Sequence, residues 1–255
     1  MKNIFRYIGL IILISFSFYY TDKVSKLAYN KNNLVKQIKE VQVFYNKEAQ
    51  NAQIDFQENT IIPGLYGKKI NITESYLNMN DFKTFNDNYL IYKRVKPQKS
   101  LKDNLDKFII SGNKSKRNVS IIISDNKNVK NYLNSNGIVY SCISDEKDDC
   151  QNIINSASNN TDFKLLNRFL KKSNRFCLQG FSNIDLCKKY NYYLLKTNTI
   201  LKNYNLSEVK SNLENGSIIL LTKYARVDDI VLLLREIEYR DLKVVSLKKL
   251  VSERD

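Results

Sequence analysis

Few side chains in this sequence can do chemistry, and one type is missing. There is no histidine. That removes the usual general base and metal ligand of neutral pH, and it excludes papain-like thiol–imidazole catalysis. Two positions stand where short apolar runs end. Residues 119–123 run into Ser124, Asp125, Asn126 and Lys127, and residues 217–221 run into Thr222. An aspartate at such a corner is a candidate base, although it more often serves the turn. A metal-free enzyme would pair Asp125 with Asp145 or Glu146. The four cysteines, Cys142, Cys150, Cys177 and Cys187, have no C-x-x-C spacing, which argues against a zinc knuckle. Their even number allows a disulfide outside the cytoplasm, with Cys142 and Cys177 as neighbours at strand ends. The plainer reading makes all four small core residues. No P-loop, G-x-G-x-x-G or G-x-S-x-G occurs.

The elements that position these residues are clearest at the C-terminal end. Ser207 is a candidate cap for a short helix carrying Val209 and Leu213, which Gly216 stops. Residues 217–221 are continuously apolar and read as a strand buried on both faces. Asp228 or Asp229 can cap the next helix, where Ile230, Leu233, Leu234 and Ile237 form one stripe and Glu236 and Arg240 an i, i+4 pair. Residues 243–246 read as a strand and 247–251 as a closing helical turn. From residue 118 onward strands and helices alternate: strands at 119–123, 138–143, 175–178 and 192–195, a helix over 129–133, and helices capped by Thr161 and by Ser182. Such alternation predicts a parallel sheet, open or closed into a barrel.

The first half reads differently. A basic head with Lys2 and Arg6 precedes an apolar run at 7–20. With residues 4–20 counted together, an uncleaved signal anchor is expected, leaving the rest of the chain outside the cytoplasm in a single-pass arrangement. A cleaved signal peptide lacks a clean cleavage site after the run. Residues 23–53 read as one helix with two weak heptad seams, Leu27, Leu34 and Val41 beside Val24, Ile38, Tyr45 and Ala52. That pattern suits a dimerising stalk or a single helix lying on the next domain. Pro63-Gly64 breaks it. A short helix capped by Thr73, a strand within 88–95 and a helix capped by Ser100 then form a small linking region. The expected organisation is 1–22 anchor, 23–57 helical stalk, 58–115 linking subdomain and 116–255 the main α/β domain.

Forty-one basic residues against 26 acidic give a net charge of +15. The Lys-, Asn-, Ile- and Tyr-rich composition is what an AT-rich genome produces, so drift explains the charge as well as attraction to anionic lipid or anionic wall polymer does. No basic helix, zinc finger or RNA-binding aromatic motif accompanies it, so no nucleic-acid partner is expected.

The run Gly216, Ser217, Ile218, Ile219, Leu220, Leu221 and the ending Leu242, Lys243, Val244, Val245, Ser246, Leu247 resemble the last segment of the NodB-type polysaccharide deacetylases. The resemblance covers about residues 117–253 and implies a distorted, incomplete (β/α) barrel. The region 58–115 more loosely resembles the one ahead of the deacetylase-like domain in some membrane-anchored bacterial proteins. An active member of the family hydrolyses an acetyl group with a metal-bound water. By resemblance Asp125 matches the base, Asn126 stands for the metal-binding Asp and Thr222 for the acid His. The two-His motif has no counterpart. The family's metal site is therefore expected to be lost, with no cofactor. A groove of Asp125, Asn126, Arg175 and Thr222 would remain for binding envelope glycan. The other reading is a divergent hydrolase using carboxylates alone.

Overall fold

The computed structural model describes residues 2–145, 150, 152–170, 174–197 and 199–254, with the backbone alone for 2–7 and 9. Helices α1 (Lys2–Lys31) and α2 (Asn33–Tyr45) precede strands β1 (Gln53–Asp55), β2 (Thr60–Ile62) and β3 (Gly67–Ile70). Helix α3 (Ile72–Asn80), β4 (Tyr92–Val95) and β5 (Phe108–Ile109) follow. The alternating series runs β6 (Asn118–Ile123), α4 (Lys127–Ser135), β7 (Ser141–Ser144), β8 (Ile153–Asn155), α5 (Asn160–Phe169), β9 (Phe176–Leu178), α6 (Ile184–Lys189), β10 (Tyr193–Leu195) and β11 (Thr199–Leu201). It ends with α7 (Leu206–Ser211), β12 (Ile218–Leu221), α8 (Val227–Tyr239), β13 (Lys243–Val244) and α9 (Leu247–Val251). The chain forms two units, Met1–Glu48 with Gly67–Val95, and Ala49–Tyr66 with Lys96–Asp255. The expected linking subdomain 58–115 is thus divided, its two ends belonging to the larger unit.

In the smaller unit, Asn32 interrupts the helix expected over 23–53. Its side chain accepts from the Leu34 amide at 2.9 Å and starts α2 afresh. α2 ends at Tyr45, and residues 46–52 are not helical. Leu34 and Ile38 are buried with Ile70, Met79 and Leu90, and Val41 and Tyr45 lie against them. Those seam residues are consumed inside their own unit, while Val24 and Leu27 stand exposed on α1. The heptad pattern is therefore a packing stripe, and it gives no support to a coiled-coil stalk or a stalk dimer. Among the described residues no helix is long and apolar enough to cross a membrane. The apolar run of α1 is flanked by Arg6 and by Asp22 and Lys23. Its 14 residues rise about 21 Å as a helix, short of the ~30 Å hydrocarbon core. The expected transmembrane anchor over 4–20 is unsupported.

The larger unit is built on one curled, mostly parallel sheet. Its order is β1-β2-β5-β10-β9-β8-β7-β6-β12-β11, with β13 beside β6. β1 alone is antiparallel to its neighbour. Three residues separate β10 from β11, so the chain steps from the middle of the ladder to its far edge. This is the distorted, incomplete barrel that the sequence led us to expect. As expected, β6 and β12 are adjacent central parallel strands, with Ile121 opposite Ile219. Alternation sends their side chains to two cores. Val119, Ile121, Ile123, Ile219 and Leu221 meet Val129 and Leu133 of α4 and Ile230, Leu233 and Ile237 of α8. Ile122, Ile218 and Leu220 face the other way, with Leu178, Leu195 and the α9 residues Leu247, Leu250 and Val251.

Several helix starts differ from expectation. Asparagine side chains cap α3 (Asn71), α5 (Asn159) and α6 (Asn183), where Thr73, Thr161 and Ser182 were expected. The amide oxygen reaches the amides of the first turn as well as a hydroxyl does. α8 starts two or three residues earlier, with Arg226 at the cap position and Asp228 and Asp229 inside its first turn. After Ser100 only a single 3-10 turn forms, and Phe108 lies in β5.

Candidate functional site

In a parallel barrel, ligand-binding residues gather where the strands end. Asp125 sits just past β6 and is exposed, with no hydrogen bond or ion pair to its carboxylate among the described residues. Asn126, beside it, is fully committed. Its Oδ1 accepts from the Val129 amide at 3.1 Å and caps α4. Its Nδ2 donates to the carbonyls of Thr222, Lys223 and Ala225 at 3.4, 3.2 and 3.0 Å. One amide thus ties the corner after β6 to the corner after β12. Thr222 is committed too, because its hydroxyl and its amide both donate to the Leu201 carbonyl, at 3.0 and 3.1 Å.

Asp125, Asn126 and Thr222 therefore do come together at the strand ends. Arg175 does not join them. It precedes β9, at the opposite end of the parallel sheet, where Nη2 reaches the Asn167 carbonyl at 3.5 Å and the guanidinium lies 5.9 Å from the Tyr192 ring centre. It is excluded from the groove because a residue before a parallel strand and one after it lie at opposite ends. Asp145, after β7, is exposed and shares no hydrogen bond with Asp125 among the described residues, and Glu146 lies outside them. Sequence reading passed over Asn155, the last residue of β8 and fully buried. Its Oδ1 accepts from the Ala157 amide, and its carbonyl accepts from Ser182 Oγ, which itself accepts from the Leu178 amide. One Asn among several in residues 152–160 gives no signal of such bonds.

The family's metal does not fit here. Among the described residues no three His, Cys, Asp or Glu side chains cluster as ligands. Asn126, which the resemblance sets at the position of the metal-binding Asp, is an amide with both ends engaged.

The cysteines pair as Cys142–Cys150 and Cys177–Cys187. This corrects both the Cys142–Cys177 pairing and the reading of four free core thiols. Each bridge is local, spanning 8 and 10 residues, so strand-end proximity was the wrong guide.

A CE4 family pseudoenzyme from Bacillus anthracis superposes with a TM-score of 0.57 at 15% identity, over 88% of this chain and 96% of that one. The chain shares the fold of that pseudoenzyme. A mutant of that pseudoenzyme with restored enzymatic activity matches this domain's chain with a TM-score of 0.56 at 16% identity, covering 87% and 99% of the two chains. Residues 9–78, mostly ahead of the deacetylase-type barrel, match the family model for a "Putative peptidoglycan binding domain". The uncharacterized protein YlxY of Bacillus subtilis is 33% identical over 95 residues, 37% of this chain. The chain spans 30% of the length of that relative.

Proposed function

We propose that the protein binds cell-wall glycan outside the cytoplasm and uses the deacetylase fold without its chemistry. The observation that carries this is the state of Asn126 and Thr222. The polar atoms that stand where an active member has a metal ligand and an acid are spent on backbone groups. An amide is a poor ligand, and a threonine hydroxyl has no pKa near neutrality for protonating a leaving amine. The match of residues 9–78 to a peptidoglycan-binding family supports the ligand class. Paired cysteines support an oxidising compartment. The basic head and the 14-residue apolar run suit an export signal, whose apolar region typically spans 7–15 residues. The exposed run of α1, from Ile8 to Tyr20, is the segment we assign to membrane attachment after export.

The test is cosedimentation of the purified chain with peptidoglycan stripped of its anionic polymers, alongside acetate release in the presence of Zn²⁺, Co²⁺ or Mn²⁺. Binding without acetate is expected. Acetate release that depends on Asp125 would sink the non-catalytic reading, and failure to sediment would sink the glycan reading.

A further inference from the structure

In the smaller unit, four segments bring two phenols, a carboxylate and an ammonium to one place. Tyr45 is the last residue of α2, Asp87 opens a 3-10 turn at Asp87–Tyr89, Tyr92 opens β4 and Lys68 lies in β3. Tyr45 donates its hydroxyl proton to Asp87 Oδ2 at 2.6 Å. Lys68 Nζ lies 4.6 Å from the Tyr92 ring centre. The bond to Asp87 holds the Tyr45 phenol above its usual range, with burial and the Asp87 charge adding to it. Burial raises the Tyr92 phenol too, again with the Asp87 charge behind it. Both hydroxyls therefore stay protonated at neutral pH, and both rings sit in the field of one carboxylate.

The backbone beneath these side chains is fixed. Asn46 Oδ1 accepts from the Ile70 amide at 2.8 Å and ties the end of α2 to β3. Lys47 and Lys68 exchange two backbone bonds, at 2.8 and 2.9 Å. Asn86 caps the 3-10 turn by accepting from the Asn88 amide at 2.9 Å, and Asn78 Nδ2 donates to the Tyr89 carbonyl at 3.1 Å. Tyr92 stands opposite the buried Ile70 and keeps 37% of its surface exposed. Asp87 is exposed, and its Oδ1 and the Tyr92 hydroxyl have no hydrogen-bond partner among the described residues.

We propose, resting on the glycan reading above, that this cluster is a subsite for one N-acetylated amino sugar of the wall strand. A tyrosine ring offers an apolar face with a polar tip, which a pyranose can match with its own apolar face and hydroxyl rim. An acetamido group carries one N–H donor and one carbonyl acceptor. Asp87 only accepts and has lone pairs left after Tyr45, whereas the Lys68 ammonium only donates. The two flank Tyr92, so a sugar on the exposed part of that ring meets an acceptor for its N–H and a donor for its carbonyl. Hydrogen bonds to charged groups are the stronger kind, which gives the subsite its grip.

The test is titration of the full chain with peptidoglycan sacculi stripped of anionic polymers, using chitotetraose and cellotetraose as soluble competitors. Tyr92→Ala and Asp87→Ala are compared with the wild type. Tyr239→Ala on α8 controls for the loss of any exposed ring, since Tyr239 is 87% exposed and belongs to the larger unit. Thermal unfolding is followed for each variant, and Asp87→Ala, at an exposed position, carries the result if Tyr92→Ala does not fold. Both cluster variants are expected to bind about tenfold more weakly, with Tyr239→Ala unchanged. Chitotetraose is expected to compete and cellotetraose is not. Wild-type binding that both cluster variants retain would overturn the subsite and leave the glycan reading standing. Equal loss in Tyr239→Ala would reduce the effect to general stickiness and remove the subsite as well. Equal competition by cellotetraose would refute the acetamido contacts. No binding by the wild type would end the glycan reading and the subsite with it.

Discussion

Asn126, which the resemblance sets at a metal-binding position, has its polar atoms engaged by the backbone. An amide both donates and accepts, whereas a carboxylate accepts only. Asn126→Asp, which restores the family's residue type, would keep the α4 cap and lose the donated bonds to Thr222, Lys223 and Ala225. It would also set a negative charge against three carbonyl oxygens. We expect it to destabilise the chain by about 1–3 kcal/mol, measured by urea unfolding, and to release no acetate with added metal. An unshifted urea midpoint would mean that the two corners are not held by this amide. At this scale the sequence was only partly legible. Asp125 and Thr222 could be placed because each follows an apolar run that is a real strand. The role of Asn126 could not, since spacing shows a residue's type and not where its two polar ends point. Arg175 was misplaced because its side of the strand, before rather than after, decides which end of a parallel sheet it occupies.

Among elements, the strands buried on both faces were the legible ones. β6 and β12 are continuous apolar runs because a parallel strand in this barrel meets helices on one face and the lumen on the other. Short strands such as β1, β2, β5 and β8 have two or three residues each and carry no period to read. Asparagine caps were missed because Ser and Thr stood beside them in a chain where Asn is common. In α8 the expected pair did form. Arg240 Nε donates to Glu236 at 2.7 Å, and this bond, reinforced by Lys210, holds the Glu236 carboxyl below the usual range. The same guanidinium donates to the Leu213 and Lys210 carbonyls and so ties α8 to the end of α7. The sharpest test of this layering is Ile219→Asp. Ile219 is fully buried between β12 and the helices. An unpaired charge there costs roughly 3 kcal/mol or more. Loss of the near-ultraviolet circular dichroism signal and of a cooperative transition is expected, and a normal melting curve would mean that β12 is not central.

For the whole molecule, the two disulfides bear on where it works. The Cys177–Cys187 bridge joins β9 to α6 inside a core cluster with Phe163, Tyr192 and Leu194. Cys142–Cys150 fastens β7 to the segment that follows it. In the chain-entropy account a bridge closing about ten residues contributes roughly 2–3 kcal/mol by restricting the unfolded chain. Two such bridges matter against a typical total of about 5–15 kcal/mol. Dithiothreitol should therefore lower the melting temperature by roughly 10–20 °C, taking ~2–4 °C per kcal/mol for a chain of this size. The Cys177→Ala, Cys187→Ala double variant should show about half of that shift without reductant. These bonds form and persist only in an oxidising compartment. Thiol titration of the protein isolated from its native cells is then the decisive measurement, because four free thiols would put the chain in a reducing compartment and overturn the proposed binding to wall glycan.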